Sequence, residues 1–150
     1  MSGSKNSKYG KYIIEDLVMP GQFSAEFNAR YSTYAERILW LDDNLLPGTF
    51  PFNCSWYLKP MDAVPGSHVH DADEILAFIG SDPDDQHNLN GEIEFWIEDE
   101  KFTLTKSCLI FIPKNVRHSP LIIKRVDKPI FHIMCVTGGG YEKLDVSESR

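Results

Sequence analysis

His68, His70 and Glu74 fall in one seven-residue stretch, and His118 follows five residues after Pro113. Two histidines at i and i+2 on an extended strand project from one face, because side chains alternate along it. Glu74 reaches the same face if that strand runs on or bulges, whereas His118 has to arrive from another strand. Three imidazoles and one carboxylate converging on a point make a site for one divalent transition metal. Imidazole suits Fe, Ni, Cu and Zn and carboxylate also admits Mn, so the ligand types leave the identity open among Fe, Mn, Ni, Cu and Zn. Four protein ligands on a six-coordinate ion leave two adjacent positions for water, dioxygen or a chelating substrate. An ion there could polarise a carbonyl or enediolate or acidify bound water, and a redox-active one could activate dioxygen. The ligating histidines must be neutral, so affinity should fall below a pH of about 6.5.

The elements that would carry these residues read as strands. Short runs rich in β-branched and aromatic residues recur, cut by Gly, Pro, Asn and Asp. Strands are expected over Tyr12–Val18, Arg37–Asp42, Cys54–Met61, His68–His70 leading into Glu74–Ile79, Glu92–Glu98, Lys101–Thr105, Cys108–Ile112, Leu121–Val126 and Pro129–Val136. Asp99-Glu100 and Asp127-Lys128 are expected to close tight hairpins, and 81–90 to form an acidic surface loop. No window sustains an apolar period of 3.6 over three turns. About nine strands at roughly ten-residue spacing predict an all-β fold, a closed antiparallel barrel or jelly roll.

The chain resembles the cupin superfamily of double-stranded β-helix barrels. The first motif of that family, Gly-x5-His-x-His-x3-4-Glu-x6-Gly, is met by His68-x-His70-x3-Glu74-x5-Gly80, without the leading glycine. The second, Gly-x5-Pro-x-Gly-x2-His-x3-Asn, is met by Ser107-x5-Pro113-x-Asn115-x2-His118-x3-Ile122. Asn115 replaces a glycine where a positive φ is expected, and Asn is a usual substitute there. The matched segment covers about a third of the chain. The resemblance implies that His68, His70, Glu74 and His118 hold the metal, that residues 11–137 form one barrel between tails at 1–10 and 138–150, and that the protein is a homodimer. An exposed edge strand would serve that pairing.

Other residues carry two readings each. His132 in the last strand shares a face with Ile130 and Met134; it is a general base or substrate contact near the metal, or a satisfied core histidine. Of Trp56 and Tyr57, one faces the interior. Ile93, Phe95 and Ile97 form an inner face, and Glu92, Glu94 and Glu98 a solvated outer one. Phe78, Phe95, Phe111 and Met134 are expected to line an apolar cavity. His87 reads as a loop residue, and Arg117 as a surface ion-pair partner.

The bulk properties narrow the function. At 150 residues the chain suits one domain, and 42% hydrophobic content fits a globular protein. A net charge of −7 without a basic stripe argues against nucleic acid. The apolar runs are too short to cross a membrane, and the polar first ten residues lack the core of a signal peptide. Cys54, Cys108 and Cys135 sit singly in apolar runs and read as buried free thiols, which suits a reducing cytoplasm. The fold hosts many chemistries. The expected function is a mononuclear metal enzyme acting on a small organic molecule, dioxygenase-like first and isomerase or decarboxylase second. The alternative is a non-catalytic barrel that binds or senses a small ligand.

Overall fold

The computed structural model describes residues 7–62 and 66–137, and the backbone of 144–145. Ten strands follow one 3₁₀ turn (Gly10–Tyr12) and one short helix, α1 (Ala25–Tyr31). In chain order they are β1 (Ala35–Leu41), β2 (Phe52–Tyr57), β3 (His68–Val69), β4 (Glu74–Gly80), β5 (Asn88–Ile97), β6 (Glu100–Lys106), β7 (Cys108–Ile112), β8 (His118–Val126), β9 (Ile130–Val136) and β10 (Leu144–Asp145). They form two five-stranded antiparallel sheets, ordered β1-β2-β9-β4-β7 and β10-β3-β8-β5-β6. The all-β expectation holds. No helix among the described residues is long and apolar enough to cross a membrane.

Strict alternation builds the core. Along β2 and β9 every second residue is buried, as a two-residue period on one packed face requires. The space between the sheets is filled by Phe78, Ile93, Phe95, Ile112 and Ile130, each at most 1% exposed. Each such side chain contributes about 1.5–3 kcal/mol by leaving water. Ile93 and Phe95 point inward and Glu92 and Glu94 outward, as their alternation predicts. Gly80 closes the turn after β4 because nothing larger fits: a Cβ there would stand 2.0 Å from the Asn88 carbonyl oxygen.

The ends of the chain differ most from the sequence reading. No strand forms over 12–18: Tyr12 ends the 3₁₀ turn and 13–18 are irregular. Instead α1 forms, started by Ser24, whose hydroxyl accepts from the Phe27 amide at 3.0 Å. Phe23, Phe27 and Tyr31 recur every four residues and so share one helical stripe, with Phe23 stacked on Phe27 at 4.7 Å and Phe27 on Tyr31 at 6.2 Å. Seven residues are too few for a three-turn period to register. The hairpin expected at Asp99-Glu100 turns one residue earlier, at Glu98-Asp99, where Glu98 takes a φ of +52°. Asp127-Lys128 joins β8 and β9, but these lie in different sheets, so the connection crosses between layers and makes no hairpin. Leu144–Asp145, expected in a tail, pair with β3. The remaining tail residues, 1–6, 138–143 and 146–150, lie outside the described residues.

Candidate metal centre

The four motif residues sit where strands begin or end. His68 opens β3, Glu74 opens β4, His118 opens β8, and His70 lies in the short turn between β3 and β4. His68 and His118 are direct partners across the β3–β8 ladder. Three backbone ties hold the turns in place. The Asn115 amide donates to the His70 carbonyl at 2.9 Å, the Lys114 amide to Asp73 Oδ1 at 2.9 Å, and the Thr137 amide to the Asp73 carbonyl at 2.9 Å. Asn115 adopts a φ of +67°, the left-handed conformation expected of it. Ser107, in place of the second motif's first glycine, bridges two loops: its hydroxyl accepts from the Gly80 amide at 2.8 Å and donates to the Gln86 carbonyl at 2.6 Å.

The structure brings His68, His70, Glu74 and His118 together, their ligand atoms all within 4.8 Å of one another and every side chain buried. His68 Nδ1 lies 2.6 Å from the Gly66 carbonyl and His118 Nδ1 2.9 Å from the Val116 carbonyl. A carbonyl oxygen only accepts, so both Nδ1 atoms carry the proton and the neutral rings turn Nε2 lone pairs inward. His118 Nε2 is 2.8 Å from Glu74 Oε1, and His70 Nε2 is 3.5 Å from it. Burial works to raise the Glu74 pKa; in the metal-free site, hydrogen bonds and positive charge from His118 and His70, which those rings supply only when protonated at Nε2, outweigh it and hold the group at about 2. With the rings neutral, the carboxylate oxygen instead faces imidazole lone pairs in a buried site. Such a pair needs a proton or a cation between its members. The donor set, its burial and these opposed acceptors fit a divalent metal ion.

Beside the quartet opens a cavity of about 80 Å³, against the roughly 10–15 Å³ that one water needs. His68, Glu74 and His118 are among the residues that line it. Phe23, Phe27 and Tyr31 of the α1 stripe, with Trp40 and Tyr57, form an aromatic wall, and Phe95, Leu121 and Met134 add apolar surface. Arg37 and Asn53 also line it, with Arg37 Nε donating to Asn53 Oδ1 at 2.9 Å and its guanidinium 4.4 Å above the Tyr31 ring. None of the wall ahead of Tyr57 was anticipated from the sequence; the Ser24 cap with Phe23, Phe27 and Tyr31 at four-residue spacing was the available signal.

Of the four aromatic and Met positions expected to line the cavity, Phe95 and Met134 do. Phe111 does not. It is 59% exposed, on the outer side of β7, because Ile110 and Ile112 take the inward positions. Phe78 packs behind the cavity against His132, the ring centroids 4.9 Å apart. His132 faces inward, stacked also on Tyr57 at 4.7 Å, with Nδ1 3.1 Å from the Ala77 carbonyl. Burial pushes its pKa down to about 4, against the smaller upward pull of the Ala77 carbonyl and the Glu74 charge. Trp56 points outward and packs on Phe131. His87 is an exposed loop residue, and Arg117 Nε stands 3.9 Å from Glu98.

No family model matches the chain, and no curated protein does. Solved structures do. Recombinant oxalate oxidase in complex with glycolate aligns over 89% of this chain and 63% of its own, at a TM-score of 0.52 and 14% identity. A chain of the DMSP lyases RdDddP and RnDddQII aligns over 60% of this chain and 39% of its own, at 0.39 and 18%. KdgF from Halomonas sp. aligns over 67% and 76%, at 0.42 and 12%. This chain thus spans less than two thirds of the oxalate oxidase and lyase chains it matches. The two-sheet barrel and the oxalate oxidase likeness give it the cupin fold.

Proposed function

We propose that this chain is a mononuclear metal enzyme acting on a small, partly apolar organic molecule, with dioxygenase-like chemistry ahead of isomerisation or decarboxylation. The observation that carries it is the buried quartet opening onto an aromatic-walled cavity. His68, His70, Glu74 and His118 would hold one ion among Fe, Mn, Ni, Cu and Zn. When bound, such an ion supplies Lewis-acid polarisation of a substrate oxygen and, if redox-active, electrons for dioxygen. The aromatic wall binds and orients the apolar part of the substrate and excludes water. His132 holds its proton at Nδ1 against the Ala77 carbonyl, which leaves Nε2 of this cavity-lining ring as an acceptor. With its pKa pushed down to about 4 the ring stays neutral near neutrality, able to accept a hydrogen bond or a proton from the substrate. The three free thiols suit a reducing cytoplasm.

The test is metal content, by mass spectrometry, of protein purified without a metal-affinity tag, beside the His70→Ala/His118→Ala variant. About one equivalent in the wild type, lost in the variant, is expected. Oxygen-uptake screens with catechols and keto acids then follow for a redox metal, and non-redox assays for zinc. Protein that takes up no metal even on reconstitution would refute the enzyme reading. Metal and tight ligand binding without turnover would leave a sensing barrel.

A further inference from the structure

One row across the inner face of the β1-β2-β9-β4-β7 sheet begins with a charge. Arg37 of β1 is the partner of Ser55 on β2, Ser55 of His132 on β9, and His132 of Phe78 on β4. Arg37 is 8% exposed and lines the cavity. A cation is costly to keep in a buried, aromatic-walled site, so its place there calls for a reason. A bulge puts it there. The register of β1 shifts between Arg37 and Leu39, so Arg37 and Trp40, three residues apart, both face inward. Strict alternation would have sent one of them out.

The guanidinium is also held in one orientation. Tyr31 Oη donates to Ser55 Oγ at 2.8 Å, Ser55 Oγ to Asn53 Oδ1 at 3.2 Å, and Asn53 Nδ2 back to Tyr31 Oη at 3.4 Å. Arg37 Nε docks on this closed ring through Asn53 Oδ1 at 2.9 Å. Three aromatic rings surround the cation, Tyr31 at 4.4 Å, Phe23 at 5.5 Å and Trp40 at 5.8 Å. A planar fork fixed in this way matches a carboxylate bidentately, and little further freedom is lost when it binds one. Histidines aside, Glu74 and Arg37 are the two charged residues among the described residues that line the cavity. Glu74 belongs to the metal quartet, so Arg37 is the charge that a molecule in the cavity meets.

We infer that Arg37 recognises a carboxylate of the molecule this cavity takes, and that the ligand class is a small carboxylic acid with a planar apolar body. The inference rests on the metal-enzyme reading above and adds to it the charge of the substrate. Phe23, Tyr31 and Trp40 offer their rings to the apolar body. Arg37 stands three strands from β4, and Glu74 lies two inward positions along β4 from the row that Arg37 begins. A carboxylate on Arg37 is therefore held away from the quartet, and the body of the ligand extends towards it.

Titration calorimetry of the full chain with benzoate and with benzamide, a neutral molecule of nearly the same shape, tests this. It is run on protein as purified and after chelation. Benzoate is expected to bind at least about tenfold more tightly than benzamide in both, as for a charge-assisted pair. Arg37→Gln should bring that ratio near one while benzamide binding and metal content stay as in the wild type. Arg37→Lys, which keeps the charge and loses the fork, should restore part of the preference. A residue that only packed the wall would weaken both probes alike. Wild-type protein that binds the two equally, or that fails to bind benzoate at millimolar concentration, overturns the inference. So does a preference that survives in folded Arg37→Gln. Metal content decides the enzyme reading separately: a quartet that takes up no ion refutes that reading but leaves a benzoate preference intact, and a metal-loaded protein without the preference does the reverse.

Discussion

The two sheets of this barrel follow the same two-residue alternation and share one interior, yet their outer faces are opposites. On the β10-β3-β8-β5-β6 sheet the outward side of β5 carries Glu92 and Glu94, with Lys101 of β6 3.4 Å from Glu94 and Lys124 on β8 exposed. On the β1-β2-β9-β4-β7 sheet the corresponding positions are Phe, Ile, Leu, Trp, Cys and Ala, with Glu36 of β1 the one charge among them. The first pattern belongs to a sheet with one wet side, the second to a sheet covered on both. Inside the barrel the roles divide differently. The charged-faced sheet supplies His68 and His118, the apolar-faced sheet supplies Glu74 and His132, and the centre forms only where the two meet.

Substitutions can sharpen this contrast. The largest effect separates two phenylalanines. Phe95→Ala, inside the charged-faced sheet, should cost about 3–5 kcal/mol in a urea melt. Phe111→Ala, on the outer apolar face, should cost under about 0.5 kcal/mol when measured in the monomer. Equal costs would mean that Phe111 is core and that the outward assignment of β7 is wrong.

A second effect is set by pH. The His132 pKa is depressed from 6.5 to about 4 in the fold, so the unfolded chain takes up its proton first as pH falls. Stability from this group is present above the unfolded value and is lost as pH falls from about 6.5 towards 4. Between pH 7 and pH 5 the loss is roughly 2 kcal/mol. His132→Phe, which keeps a ring between Tyr57 and Phe78, should flatten the slope in that window. An unchanged slope would assign it to other groups.

The smallest effect falls on the wet face. Lys101→Met removes a half-exposed ion pair to Glu94 and should shift stability by no more than about 0.5 kcal/mol, less at high salt. A larger loss would show that the pair is shielded from solvent.

Much of the site was legible before the structure. The spacing His68-x-His70-x3-Glu74 and the late His118 pointed to four residues that the fold brings within 4.8 Å. Asn115 was expected in a positive-φ turn and takes it. The cavity wall was not legible in the same way. Arg37 and Asn53 are sixteen residues apart, and Tyr31 meets Ser55 across twenty-four; no local pattern announces either contact. Helix α1 left a local trace, but its seven residues draw their stability from packing their aromatic stripe, since so short a helix is marginal alone.

Alternation and turn residues, which act over two to four neighbours, were enough for this sequence alone to determine an all-β chain, a metal-competent ligand set and the inward face of most strands. Which sheet each strand joins depends on loop closure and on which apolar faces meet, and these are settled only when the whole core packs. For that reason the tertiary structure alone decided that β8 and β9 part into different layers, that Phe111 faces out while His132 faces in, and that the residues before β1 roof the cavity beside the metal centre.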